Sequence, residues 1–176
     1  HPAFIEAQTQ LIKQHKTTGS HLLFSYHGLP IKHLDKTSSC KKQCNRLDAC
    51  PDIDNNNKLC YRAQCYATAQ KVAEKSQLNI DDYSVSFQSR LGRLPWIQPY
   101  TDEWFIRLRE KGITKLDVIC PSFFVDCLET LEEINIQGRE QWHSIGGESF
   151  NMIPCLNSSD HAVATLEKII ISTESL

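Results

Sequence analysis

Apolar positions along the chain fall into two kinds of run. Short blocks rich in β-branched and aromatic residues recur at Leu22-Leu23-Phe24, within 83–87, at Leu116, Val118 and Ile119, and within 150–156. Between them apolar residues return at helical spacing: Phe4, Ala7, Leu11 and Ile12, then Ala69, Val72 and Ala73, and last Val163, Leu166, Ile169 and Ile170. The first kind predicts strands over 21–27, 83–87, 115–120 and 150–156. The second predicts a helix near the start with Pro2 in its first turn, and one over 59–76. A third runs from Thr101 to Gly112 with Asp102 and Glu103 at its positive end, and a last helix is capped from Asn157, Ser158 or Ser159. Strand and helix alternate and no hairpin signal separates the strands. The fold class predicted is α/β, a doubly wound, four-stranded parallel sheet with flanking helices, Rossmann- or flavodoxin-like in outline.

In such a sheet ligands bind beyond the carboxyl ends of the strands, so the residues just after each block matter most. The third strand runs into CPSFFVDCLETLEEI (120–134). Read at helical period, Val125, Leu128 and Leu131 form an inner face, with Ile134 one step on, and Asp126, Glu129 and Glu133 share another side. That acidic row is either a solvated helix face or a place to hold a cation and accept protons. His27 closes the first strand, Ser89 and Arg90 follow the second, and Trp96 sits between Pro95 and Pro99 in a rigid loop. An imidazole, carboxylates and an aromatic wall on one rim fit a site that handles a cation and a flat organic ligand.

Length and charge narrow the field. A chain of 176 residues can bury one real core. Its net charge of -2 leaves no nucleic-acid footprint, and no apolar run reaches the roughly 18 residues of a membrane span. No signal peptide is visible ahead of the first helix. Eight cysteines in an α/β chain point to a reduced, cytoplasmic protein more than to a secreted disulfide scaffold. Five of them, Cys40, Cys44, Cys50, Cys60 and Cys65, lie within 26 positions of a polar stretch, and packing does not require that density. Thiolate ligation of an iron–sulfur cluster or of zinc is the physical reading, with Cys40, Cys44, Cys50 and Cys60 as the best candidate ligands; the spacings match no standard zinc knuckle or ferredoxin run, and a stretch that binds no metal is the alternative. There is no GxGxxG and no Walker loop, so a nucleotide site is unsupported.

The stretches LLFSYHGLP (22–30), SFQSRLGRLPWIQPYTDE (86–103), VICPSFFVDCLETLEEI (118–134) and IPCLNSSDH (153–161) resemble, in collinear order, those of ferrochelatase, most of all the bacterial, protoporphyrin-using type. The resemblance implies a chelatase-like fold and a lyase that inserts ferrous iron, its substrate, into protoporphyrin IX. It implies that residues 1–176 form the C-terminal of two related domains, with 31–60 as a cysteine-rich insertion and the N-terminal half absent. By the same resemblance His27 and Glu129 are the metal ligands and catalytic pair, with His27 as proton acceptor. Trp96, Ser89 and Arg90 line the porphyrin, and Asp126 and Glu133 belong to an acidic path that stops short, because Gln137 stands where some relatives have a further acid. Some microbial members carry a 2Fe–2S cluster, the role expected for Cys40, Cys44, Cys50 and Cys60. The expected setting is cytoplasmic, with peripheral contact at a membrane. Two other readings share the residues: a porphyrin or haem carrier that needs Trp96 but not Glu129, and a thiol-rich metal module that needs the cysteines but not His27.

Overall fold

Strand β1 (His21–His27) is the spine of the molecule. In the computed structural model, which describes residues 1–34, 36 and 49–174, Leu22, Leu23 and Phe24 are wholly buried. β1 pairs along its length with β2 (Tyr83–Gln88), from Leu22 opposite Tyr83 to His27 opposite Gln88. On its other side it pairs with β3 (Lys115–Ile119) only as far as Phe24 opposite Ile119. β4 (Ser149–Met152) lies beyond β3. All pairings are parallel, in the order β2-β1-β3-β4, as the alternation of blocks predicts.

Side chains of β1 alternate between two cores, as strand geometry requires. Leu22, Phe24 and Tyr26 face the side covered by α1 (Pro2–His15), α3 (Tyr61–Lys75) and α6 (Asp160–Glu174). Leu23 faces the side covered by α4 (Thr101–Glu110) and by the connection between β3 and β4. A helical turn, α2 (Ile31–Leu34), follows β1. Ala69, Val72 and Ala73 of α3 are buried, as their spacing predicts, and so are Ala7, Leu11 and Ile12 of α1. Gly112 ends the fourth helix with φ 82°, a conformation that favours glycine.

Three expectations are corrected. The β3–β4 connection is not an α-helix from Val125 but a π-helix, Glu129–Gly138, continued by α5 (Arg139–Ser144). Its inner face is Thr130, Ile134 and Gly138, whereas Val125, Leu128 and Leu131 are exposed. Glycine is favoured at position 138 because the helix lies close against its neighbour there: a Cβ on Gly138 would stand 3.3 Å from the Phe105 ring. In α6 the buried positions are Ala162 and Thr165, and Val163, Leu166 and Ile170 are exposed. Thr165 donates to the Ala3 carbonyl (3.4 Å), so small residues again make the helix contact. Finally, β4 stops at Met152 rather than reaching residue 156. α5, whose Trp142 is wholly buried, has no counterpart in the sequence reading.

Candidate active site

Because β3 ends opposite Phe24, the last residues of β1 project past it. There, on the side away from β2, His27 meets side chains instead of a strand. Its N–H donates to Ser122 Oγ (3.0 Å) and its carbonyl accepts from the Tyr61 hydroxyl (2.8 Å). The imidazole Nδ1 lies 2.6 Å from the Gly28 carbonyl oxygen. A carbonyl only accepts, so Nδ1 carries the proton and the neutral ring keeps its lone pair on Nε2. Among the described residues Nε2 has no hydrogen-bond partner.

The ring stands between two aromatics, Trp96 at 6.4 Å and Phe123 at 5.9 Å between centroids. Trp96 is half-buried and held in place: its Nε1 donates to the Leu91 carbonyl (3.0 Å), and its main chain bridges Pro30. Gly28 makes room for it, since a Cβ there would lie 3.2 Å from the indole and 2.8 Å from the Gln88 carbonyl oxygen.

Glu129 opens the π-helix. Gln88, almost wholly buried at the end of β2, donates to the Glu129 carbonyl (2.7 Å) and so ties the helix to the sheet. Hydrogen bonds, first with Cys127 and then with its own main-chain N–H, hold the Glu129 carboxyl below its ordinary range, and His27 acts in the same direction when it carries a second proton. One turn along, Glu133 accepts from the Ser89 N–H (2.7 Å), the Ser89 hydroxyl (3.0 Å) and, more distantly, Gln88 Nε2 (3.5 Å). Ser89 adopts φ 65°, a left-handed conformation costing about 1 kcal/mol; it presents both its donors to that carboxylate. π-Helical turns are rare and concentrate at functional sites.

Other predicted residues are engaged elsewhere. Arg90 pairs with Asp102 (3.0 Å) and Glu103 (3.5 Å) and lies over the Tyr100 ring. Asp126 precedes the π-helix and clamps the turn after β4, accepting from Asn157 Nδ2 (2.7 Å), Thr130 Oγ1 (3.1 Å) and the Cys155 N–H (3.3 Å). Burial alone would raise its pKa, but these bonds outweigh burial and lower it. Glu133, Ser89 and Arg90 line a side cavity of about 190 Å³.

Cys40 and Cys44 lie outside the described residues. Cys50 is half-buried and Cys60, the residue before α3, is buried. Among the described residues no three His, Cys, Asp or Glu side chains are grouped to hold a metal ion, so the structure does not support a cluster or zinc site there.

Sequence reasoning missed Tyr61, Ser122, Phe123 and Gln88. The available signal was topological: Ser122 and Phe123 immediately follow the third strand, and Gln88 ends the second. Together the residues around His27 supply a free imidazole nitrogen, an ionised carboxylate and an aromatic slot, which suits proton removal and metal handling beside a flat ligand.

Comparison with known proteins bears on the same residues. The family model described as Ferrochelatase matches residues 1–174. A ferrochelatase of Legionella pneumophila (strain Philadelphia 1) is 47% identical over 169 residues, which is 96% of this chain and 50% of that protein. One from Coxiella burnetii (strain Dugway 5J108-111) is 48% identical over 170 residues, 96% of this chain and 48% of its own. The chain therefore spans about half the length of these curated relatives. Among solved structures, a Marinobacter aquaeolei VT8 protein named for cobalamin (vitamin B12) biosynthesis, CbiX, matches with a TM-score of 0.50 at 10% identity. It covers 89% of this chain and 98% of its own; at that identity the likeness concerns fold alone.

Proposed function

The chain belongs to the ferrochelatase family, and we propose that it supplies the catalytic histidine and glutamate of an enzyme inserting ferrous iron into protoporphyrin IX. The observation carrying this reading is His27, its ring between Trp96 and Phe123 and its Nε2 without a hydrogen-bond partner among the described residues. Insertion exchanges two pyrrole N–H protons for one Fe²⁺. Glu129 with His27 Nε2 presents oxygen and nitrogen ligands to the iron as it arrives; once the iron has passed to the ring, the released Nε2 lone pair takes the two pyrrole protons one at a time, each passed on to solvent or the acidic path before the next is accepted. Binding energy from the rest of the macrocycle bends the ring so that its nitrogens face the metal. Trp96 forms a wall for the porphyrin, with Ser89 and Arg90 further along the rim. Glu133, held by Ser89, is the next station of an acidic path for protons or metal. Asp126, with its carboxylate committed to the turn after β4, supports that path from outside it.

The same proposal takes residues 1–176 as the C-terminal of two domains, with 31–60 as an insertion and the other half as the partner that completes the porphyrin clamp. No helix among the described residues is long and apolar enough to cross a membrane; cytoplasmic location with peripheral contact at a membrane surface completes the proposal. For Cys40, Cys44, Cys50 and Cys60 we retain the 2Fe–2S role only as a separate proposal, through which no catalytic step runs. Acid-labile sulfide in anaerobically purified protein decides it.

The deciding experiment follows haem absorbance after ferrous iron and protoporphyrin are added to the chain alone and to the chain joined to the other half. Turnover is expected only when joined, and Glu129→Gln is expected to remove it while porphyrin still binds. Unchanged turnover in Glu129→Gln would instead fit a different catalytic carboxylate, and binding without turnover in the joined wild type a porphyrin carrier.

A further inference from the structure

We infer that Tyr61 and Ser122 are positioning residues for His27, their hydroxyls replacing the strand that ends at Ile119 and so fixing the imidazole with Nδ1 protonated and Nε2 free. The inference rests on the reading of His27 given above and goes beyond it by naming what orients that side chain.

The argument begins with strand geometry. The N–H and carbonyl of one residue in a strand point to the same side, towards one neighbouring strand. At residue 27 the β2 side is occupied by the neighbours of that residue: Gly28 donates its N–H to the Gln88 carbonyl (2.8 Å). The N–H and carbonyl of His27 itself face the β3 side, where pairing has stopped at Phe24 opposite Ile119. Two hydroxyls fill the gap. His27 N–H donates to Ser122 Oγ at 3.0 Å, Tyr61 donates to the His27 carbonyl at 2.8 Å, and the hydroxyls lie 3.0 Å apart. Tyr61 has one proton and the carbonyl can only accept, so Ser122 supplies the proton between the hydroxyls. The result is a closed ring in which each donor is used once.

That ring reaches the imidazole through the main chain. The peptide joining residues 27 and 28 is held at both ends, its oxygen by Tyr61 and its N–H by Gln88. The Gly28 carbonyl, which receives the Nδ1 proton, begins the next peptide, and that is followed by the Leu29 carbonyl accepting from Ile97 N–H (3.0 Å). With the first peptide locked, the acceptor for Nδ1 is locked too. Tyr61 is itself anchored as the first residue of α3, on a helix whose Cys65 is buried in the core. Burial pushes its phenol pKa up, so it remains a donor.

The test reads the ring nitrogens directly. In the ¹⁵N-histidine-labelled chain, long-range ¹H–¹⁵N spectra report the tautomer of His27, assigned by its disappearance in His27→Gln. Losing one neutral hydrogen bond moves such an equilibrium roughly fivefold, so Tyr61→Phe and Ser122→Ala are each expected to shift the ratio by that factor towards the Nε2–H form. Ser122→Thr, which keeps the hydroxyl, is expected to restore it. If both variants melt like the wild type and leave the His27 ratio unchanged, the inference is overturned. Should Tyr61→Phe fail to fold, Ser122→Ala, at an exposed position, decides alone. A responsive tautomer in a protein that never forms haem keeps the positioning role and removes the functional reading. Haem formation with an unresponsive tautomer removes the positioning role only.

Discussion

β1 begins and ends with a histidine, and the two lead opposite lives. His21 is buried and engaged: Nε2 meets Ser84 Oγ at 2.8 Å, and the ring also interacts with the Asp81 main chain. Ser84 also accepts from Trp104 Nε1 (2.9 Å), which ties the imidazole to α4. His27, six residues on, is half-buried and, among the described residues, bonds through Nδ1 with Nε2 left unpartnered. Residue type and strand are shared. What differs is which end of a parallel sheet each occupies: at the amino end neighbouring elements close over the ring, and at the carboxyl end β3 stops short and leaves a mouth.

The largest effect should come from exchanging the roles. In the joined enzyme, His27→Ala is expected to lower iron insertion by roughly 10²–10⁴-fold, the usual worth of a positioned base, with little change in melting temperature. His21→Ala should do the reverse. It leaves Ser84 short of a partner and opens a small cavity, costing about 3 kcal/mol of stability, while turnover per folded molecule stays as it was. Steady-state kinetics beside denaturant melts check both arms. A His27→Ala enzyme that retains normal turnover would erase the distinction between the two ends.

A second contrast sharpens it, between two carboxylates. Asp117 in β3 is wholly buried near the amino end, where Oδ2 accepts from the Thr17 N–H and the Ser20 hydroxyl (both 2.6 Å) and Oδ1 from Asn151 Nδ2 (3.2 Å). It ties the turn before β1 to β3 and β4. Asp117→Ala strands those donors and should cost about 3 kcal/mol, read by urea unfolding. Glu129→Gln at the mouth should leave the urea midpoint nearly unmoved, because its carboxylate holds no part of the fold together.

These contrasts also explain what was legible. The sheet could be read because buried parallel strands are written as unbroken apolar blocks, and β1 was bounded to the residue by Gly19-Ser20 before it and Gly28 after it. His27, Trp96 and Glu129 were legible as positions on the rim, though their contacts were not. The π-helix and α6 were misread for one reason: periodicity finds an apolar stripe but not the surface it faces. Val125, Leu128 and Leu131, like Val163 and Leu166, form such stripes, yet Thr130, Gly138, Ala162 and Thr165 make the close contacts. A π-helix also breaks the 3.6-residue rule by which Asp126 was placed beside Glu129. Tyr61 carries no sequence signal, and Ser122 only its place just after the third strand, because their role exists only where one strand outruns another.

The smallest and most selective test uses acid. Burial lowers the His21 pKa from 6.5 to about 4; the Asp81 main chain opposes this, Lys111 assists, Asp82 opposes and Lys16 assists. A group with a folded pKa below its unfolded value stabilises fully above the unfolded value, and that contribution is lost as pH falls. Here the loss runs between pH 6.5 and about 4 and totals up to about 3 kcal/mol. The carboxyls whose pKa values are lowered, Glu6, Asp82, Asp126 and Glu129, start from 4.5 or 3.8 and lose their share lower down. The upper part of the acid window therefore belongs mainly to His21. Replacing it with glutamine should lower stability at neutral pH but flatten the profile across that window. If the wild-type and His21→Gln curves run parallel between pH 6.5 and 5, the buried ring is not what senses acid, and the two ends of β1 differ less than their surroundings imply.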